Sequence, residues 1–273
     1  MEINLNSFLL MGILNVTPDS FSDGGRFDKP EKAVEHFNYL VASGADIVEL
    51  GAESTRPGAE LLDEECEWKR LDKVLIAINP RRQKVLMALD TRKANIAERA
   101  SHHGIRIIND TSALQDRRMA EVLAHFPSAY LVLNHNRGIP PASINPPSNP
   151  QLLREVIDFF EHKVAAAIGG GMKQNQLILD PGLGFGKGLE ENIILLHTLN
   201  ELKVHFQLPI LVGPSRKRFV GELWGENNKD LGSVAISLMA ALNGANIIRC
   251  HEPKLCQPIH NLRSMPRTNT KNE

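Results

Sequence analysis

Eight apolar runs of strand length recur along this chain, most of them followed by a segment with helical periodicity, and that alternation limits the fold more than anything else. The runs are Met11–Val16, Ile47–Gly51, Val85–Leu89, Ile105–Ile108, Ala129–Leu133, Leu177–Leu179, Pro209–Val212 and Ile247–Ile248. They are continuous rather than alternating, as expected of parallel strands buried on both faces. Between them, Glu31–Ser43 puts Ala33, Val34, Phe37, Leu40 and Val41 on one helical face, with Gly44 at the stop. Glu64–Ile78 does the same with Trp68, Leu71, Val74, Leu75 and Ile78, and Lys93–Ser101, Asp116–His125, Gln151–Ile168, Glu190–His205 and Asp230–Leu242 complete the set. A short last helix is expected to begin near Pro258, with Ile259 and Leu262 facing inward.

Eight such units of roughly 34 residues predict an α/β fold, a single-domain (β/α)8 TIM barrel over residues 1–273 with its active site at the C-terminal ends of the strands. A doubly wound open sheet is the alternative. The two differ in where polar groups gather: at many strand ends in a barrel, at one switch point in an open sheet. Here the ends read Asn15, Glu53, Asp90, Asn109 with Asp110, His135, Asp180, Ser215 with Lys217, and Arg249 with His251. Polar groups stand at all eight, which favours the barrel.

Composition removes several classes of function. A net charge of −1 gives no bulk attraction for nucleic acid or an anionic membrane. Cys66, Cys250 and Cys256 lack the spacing of a zinc site or a disulfide framework. The start MEINLNSFLLMG carries no basic region or cleavage site, and no apolar run approaches the roughly 20 residues of a membrane span. A soluble, cytoplasmic protein is expected.

The stretch Gln176–Gly188, QLILDPGLGFGKG, delivers a carboxylate, Asp180, at the end of a buried strand and follows it with Pro181 and alternating glycines. Backbone this bare allows close approach of a ligand. A phosphate-cradling P-loop fails on spacing, because Pro181 and Gly188 stand where it needs Gly and Ser or Thr. A dinucleotide fingerprint fails at Lys187, where it needs its third glycine. Near the first and second strands, Phe21 in a polar loop and Arg56 before Pro57 suit loops that close over a flat, anionic ligand.

The segments MGILNVTPDSFSDGG, GAESTRPGAE, IIND, LDPGLGFGK and LVGPSRKRFVG, in that order and spacing, closely resemble the dihydropteroate synthase family from about Met11 to His251. The resemblance implies a pterin-binding barrel that condenses 6-hydroxymethyl-7,8-dihydropterin pyrophosphate with p-aminobenzoate, releasing pyrophosphate, with Mg²⁺ as cofactor. It implies a transferase of folate biosynthesis, a sulfonamide target, and a homodimer formed through the last helices.

The resemblance also assigns roles. Asp180 is expected to accept the adjacent amino group and ring N–H of the pterin, since one carboxylate takes both. Asn109, Asp90 and Lys217 complete the pterin rim. Arg249 and His251, two apart on the last strand, are expected to hold the pyrophosphate, with Asn15 offering an oxygen to the metal. Phe21, Thr55, Arg56, Pro57, Gly184, Phe185 and Ser215 are the expected p-aminobenzoate neighbours, together with Arg216. Lys217, Arg249, His251 and Asp90 are the expected catalytic set, and Lys187 is expected to be peripheral. Pyrophosphate would leave first, giving a resonance-stabilised cation that the weakly basic amine attacks.

Three departures from the family pattern stand out. Asn134-His135-Asn136 replaces a histidine flanked by methionines, Thr111 replaces an aliphatic residue, and Glu49-Leu50-Gly51-Ala52-Glu53 replaces Asp-Val-Gly-Gly-Glu. Asn134 and Thr111 put polar groups where an apolar pterin floor is expected, and each needs a partner if buried. A pterin-binding relative with weak catalysis, and a folate-dependent methyltransferase on the same barrel, therefore stay as alternatives. The Ser-Thr-Arg-Pro and Ser-Arg-Lys loops argue against the methyltransferase.

Overall fold

The structure, a computed structural model, describes residues 2–4, 6–16, 30–53, 62–138 and 149–264. Its elements follow in strict alternation as far as β7: β1 (Leu9–Asn15), α1 (Pro30–Ala42), β2 (Ile47–Gly51), α2 (Glu64–Ile78), β3 (Leu86–Asp90), α3 (Ala94–His103), β4 (Ile107–Asp110), α4 (Arg118–Ala124), β5 (Tyr130–Asn134), α5 (Leu152–Gly169), β6 (Leu177–Asp180), α6 (Leu189–Phe206) and β7 (Leu211–Val212). Two helices, α7 (Arg218–Trp224) and α8 (Lys229–Leu242), precede β8 (Ile247–Cys250), and α9 (Pro253–Ser264) follows it. All strand pairings are parallel, in the order β6-β5-β4-β3-β2-β1-β8-β7. A parallel bridge between Leu179 and Ile210 joins the two ends. The open-sheet alternative is thereby set aside: this is a (β/α)8 barrel.

The strand pleat sorts the core into two layers. Leu9, Met11, Ile47, Leu86, Ala88, Ile107, Tyr130, Val132, Ile178, Leu211 and Ile247 fill the barrel interior, and Ile3 joins them, its N–H donating to the Tyr130 hydroxyl at 3.1 Å. Residues of opposite parity, such as Leu10, Val48, Leu89, Leu131 and Leu179, pack outward on the helices. A packed interior below the strand ends leaves the mouth as the place for chemistry.

Local sequence accounts for the helix limits. Asp63 caps α2 by accepting the Cys66 N–H at 2.7 Å, and a left-handed Gly44 follows α1. Two helices differ from expectation. The short α7 escapes a periodicity reading because its seven residues span less than two full turns, with Gly221 in the middle. The last helix starts at Pro253, and Pro258 lies inside it rather than at its start. Ile259 is buried as expected, but Leu262 is exposed.

Candidate active site

The same pleat that builds the interior continues into the mouth. Counting by twos from the interior residues reaches Asn15 on β1, Glu49 and Gly51 on β2, Asp90 on β3, Asn109 on β4, Asn134 on β5, Asp180 on β6 and Arg249 on β8. Register sets Asn15 beside Gly51, Gly51 beside Asp90 and Asp90 beside Asn109, a row across four strands. On the other side Asn134 stands beside Asp180.

Beneath the row lies a group that the sequence reading missed. Glu49 is buried in mid-strand, and its Oε2 lies 2.5 Å from both Nε and Nη2 of Arg249. Its Oε1 accepts from Nδ2 of Asn109 at 2.9 Å, and Nη2 of Arg249 is 3.5 Å from Asp90. Burial and the nearby Glu49 charge push the Asp90 carboxyl well above the usual range, against the pull of Arg249. The available signal was a lone carboxylate at interior parity within an apolar strand.

Asp180 is held on both oxygens: Oδ1 accepts the Gly182 N–H at 2.8 Å, and Oδ2 accepts from Nδ2 of Asn134 at 2.9 Å. Burial raises its pKa, opposed by Lys217, the Gly182 N–H, Lys187 and Arg249. Gly182 takes φ +70°, and a Cβ there would sit 1.9 Å from the His135 carbonyl oxygen. The turn after β6 therefore accepts no other residue in this geometry. Gly184 lets Lys217 lie against the backbone, where an added Cβ would be 2.9 Å from its Cδ. The Lys217 ammonium donates to the Leu183 carbonyl and stands 4.2 Å from the Phe185 ring centroid. Burial lowers its pKa to about 8. Ser215 Oγ and His251 Nδ1 are 2.9 Å apart, which joins the β7 and β8 ends.

Asp90, Asn109, Asp180, Lys217, Arg249, Asn15, Gly184, Phe185, Ser215 and His251 thus all belong to the C-terminal rim of the barrel or the loops that leave it. Phe21, Thr55, Arg56 and Pro57 lie outside the described residues. Four sequence expectations change. Lys187 is buried, not peripheral: its Nζ donates to the carbonyls of His135, Gly182 and Phe185 at 3.0, 2.9 and 3.4 Å and braces the glycine stretch. His135 has the wrong parity for the mouth and packs edge-on against Phe159 and Phe160, with burial lowering its pKa to about 3. The neutral ring lies 3.4 Å from Glu155. Arg216 turns away to Asp230 at 2.7 Å. Glu53 accepts from Arg92, Lys93 and the Leu62 N–H, a structural role at the base of the second loop.

A family model described as pterin binding enzyme matches residues 11–251. A dihydropteroate synthase of Neisseria meningitidis serogroup C is 40% identical over 258 residues, covering 93% of this chain and 90% of that one. The chain belongs to the dihydropteroate synthase family. Among solved structures, the Yersinia pestis dihydropteroate synthase with a sulfonamide drug complex superposes with a TM-score of 0.87 at 38% identity, covering 96% and 94% of the two chains. The Xanthomonas albilineans dihydropteroate synthase with 4-aminobenzoic acid gives 0.86 at 34%, covering 96% and 95%.

Dihydropteroate synthase chemistry releases pyrophosphate, an anion that commonly binds together with a metal ion. Among the described residues there is no group of three His, Cys, Asp or Glu able to hold one. Asn15 does fit a metal bound chiefly through ligand oxygens. It stands at the rim beside Gly51, where an added Cβ would lie 3.2 Å from the Asn15 amide oxygen. Mg²⁺ bound this way takes few protein oxygens and completes its shell with phosphate and water.

Proposed function

We propose that the protein condenses 6-hydroxymethyl-7,8-dihydropterin pyrophosphate with p-aminobenzoate to give 7,8-dihydropteroate and pyrophosphate, on the rim just described. The observation that carries the reading is the set Asp180, Asn109, Asp90 and Lys217, which brings to one mouth the neighbouring acceptors Asp90 and Asn109, the carboxylate of Asp180 and an ammonium. Ionised Asp180 accepts the amino group and ring N–H of the pterin. Asn109 has a buried Oδ1 with no partner among the described residues, ready for a donor on the ring. Asp90 takes a further N–H, and Lys217 leaves the Leu183 carbonyl to donate to the exocyclic oxygen and ring nitrogen.

Arg249, with His251, meets the pyrophosphate. The bond from the pterin methylene carbon to the departing oxygen breaks with its electron pair on pyrophosphate, and cationic side chains stabilise that charge. Asn15 would hold Mg²⁺, which when bound would further neutralise the phosphate oxygens. The p-aminobenzoate nitrogen then forms the new C–N bond and releases a proton. Gly184, Phe185 and Ser215 form its near wall. Such a step needs no activated serine or cysteine nucleophile.

Asn134 donates through Nδ2 to Asp180, which gives one of its two buried polar atoms a partner and turns a floor substitution into a contact with the pterin clamp. Exposed Leu231 and Leu242 on α8 and Leu255 and Leu262 on α9 offer apolar surface for a homodimer. No helix among the described residues is long and apolar enough to cross a membrane, in keeping with a cytoplasmic, single-domain enzyme. The test is pyrophosphate release with and without p-aminobenzoate and Mg²⁺. Turnover that depends on p-aminobenzoate is expected; pterin binding without it would leave only the binding-only reading.

A further inference from the structure

We propose that Asn134 is a positioning residue for the Asp180 clamp, and that it sets the acid limit of pterin binding; the inference rests on the reading of Asp180 above. Asn134 ends β5 at interior parity, is 1% exposed, and stands in register with Asp180. Its Nδ2 lies 2.9 Å from Oδ2 of Asp180. A carboxylate oxygen only accepts, so the amide must present its nitrogen there, which fixes its orientation.

The count of lone pairs gives the arrangement its meaning. An ionised carboxylate offers about four acceptor sites, two on each oxygen. The Gly182 N–H takes one on Oδ1 and Asn134 takes one on Oδ2. One site per oxygen remains, a parallel pair that matches two adjacent donors on a flat heterocycle. The Gly182 turn is fixed by its approach to the His135 carbonyl, so the carboxylate plane is held from two separate strand ends. Preorganisation of this kind spares the ligand the cost of ordering its partner.

Asn134 is also costly to keep. Its Oδ1 is buried with no partner among the described residues, a penalty that an apolar residue of similar size would avoid. Retaining the amide makes sense through what its nitrogen does. The other charged groups around Asp180 are Lys217 from the β7 loop, Lys187 from the β6 loop and Arg249 from β8. His135, next along β5, is neutral near pH 7. None of the three cations hydrogen-bonds to Asp180, so Asn134 is its side-chain donor among the described residues.

The test is Asn134→Leu, close in size and without a donor, with Asn134→Met as a second donor-free arm should the leucine variant fold poorly. Binding of 6-hydroxymethylpterin to the full-length protein is measured by titration calorimetry from pH 5 to 9. Loss of a hydrogen bond to the ionised form should raise the acid limit of binding by about one pH unit and weaken binding several-fold at neutral pH. Thermal stability should change little, because the donor lost to Asp180 is offset by relief of the buried, unpartnered Oδ1. An unchanged acid limit, or a uniform loss of affinity accompanied by a lower melting temperature, overturns the inference. Asp180→Ala is run in parallel: if it still binds the pterin like the parent, the clamp reading itself fails, a result distinct from either outcome at Asn134.

Discussion

One buried carboxylate, Glu49 on β2, holds the guanidinium of Arg249 at 2.5 Å across the intervening strand β1. The same side chain accepts from Asn109, so β2 ties together residues on β4 and β8. The arginine proposed to meet the pyrophosphate is thus already paired with a carboxylate, and the anion would compete with Glu49 for it.

Removing either partner should expose that arrangement. Glu49→Ala leaves a largely buried arginine with only the more distant Asp90 as counter-charge and is expected to cost about 3 kcal/mol of stability. Arg249→Ala should cost a similar amount, and the double variant much less than the sum. Urea unfolding of the four proteins measures the coupling; additive losses would show that the pair is energetically idle.

Lys217→Ala should reduce turnover roughly a hundredfold or more while the protein stays folded, since it deletes the proposed donor to the pterin. Burial sets the Lys217 pKa at about 8. Only the protonated amine donates with full charge, so kcat/KM for the free enzyme should fall as pH rises through about 8. A flat profile between pH 7 and 9 would remove Lys217 from the pterin contacts.

Acid should loosen the barrel through His135. Its folded pKa is lowered to about 3, below the ordinary value of 6.5. Between those values the unfolded chain binds a proton that the folded chain refuses, so stability falls as pH drops from about 6.5 toward 3. The slope from this group is at most about 1.4 kcal/mol per pH unit. Urea midpoints for the parent and for His135→Gln should diverge in stability at pH 7 and converge toward pH 4.

Gly182→Ala forces a side chain into φ +70° and into the His135 carbonyl. A cost of about 2 kcal/mol is expected, with loss of pterin binding because the Gly182 N–H moves off Asp180. Calorimetric titration alongside a melting curve checks both at once.

Much of this was readable in advance, for identifiable reasons. The bounds of α2 and β2 match the sequence reading residue for residue, because Trp68, Leu71, Val74, Leu75 and Ile78 keep strict helical spacing and Ile47–Gly51 is apolar at every position but Glu49. The rim carboxylates and amides stood at strand ends, where chain direction alone exposes them. Face was harder. Placing the end of β5 one residue late exchanges Asn134 for His135, and a one-residue shift turns a side chain from the mouth to the helix layer. Glu49 was hidden because it sits one pleat below the strand end, and Lys187 because its buried partners are backbone carbonyls, which no pattern of residue types reveals.

The barrel also has a seam. Among the described residues, β6 and β7 are joined by one isolated bridge, Leu179 to Ile210, with the Leu179 N–H donating to the carbonyl of Pro209 at 3.0 Å. Pro209 has no N–H to return. The clamp Asp180 ends one lip of this seam and Lys217 lies beyond the other. With so few hydrogen bonds holding this junction, hydrogen exchange should be fastest here among the eight strand junctions and should slow most when a pterin bridges the gap between Asp180 and Lys217.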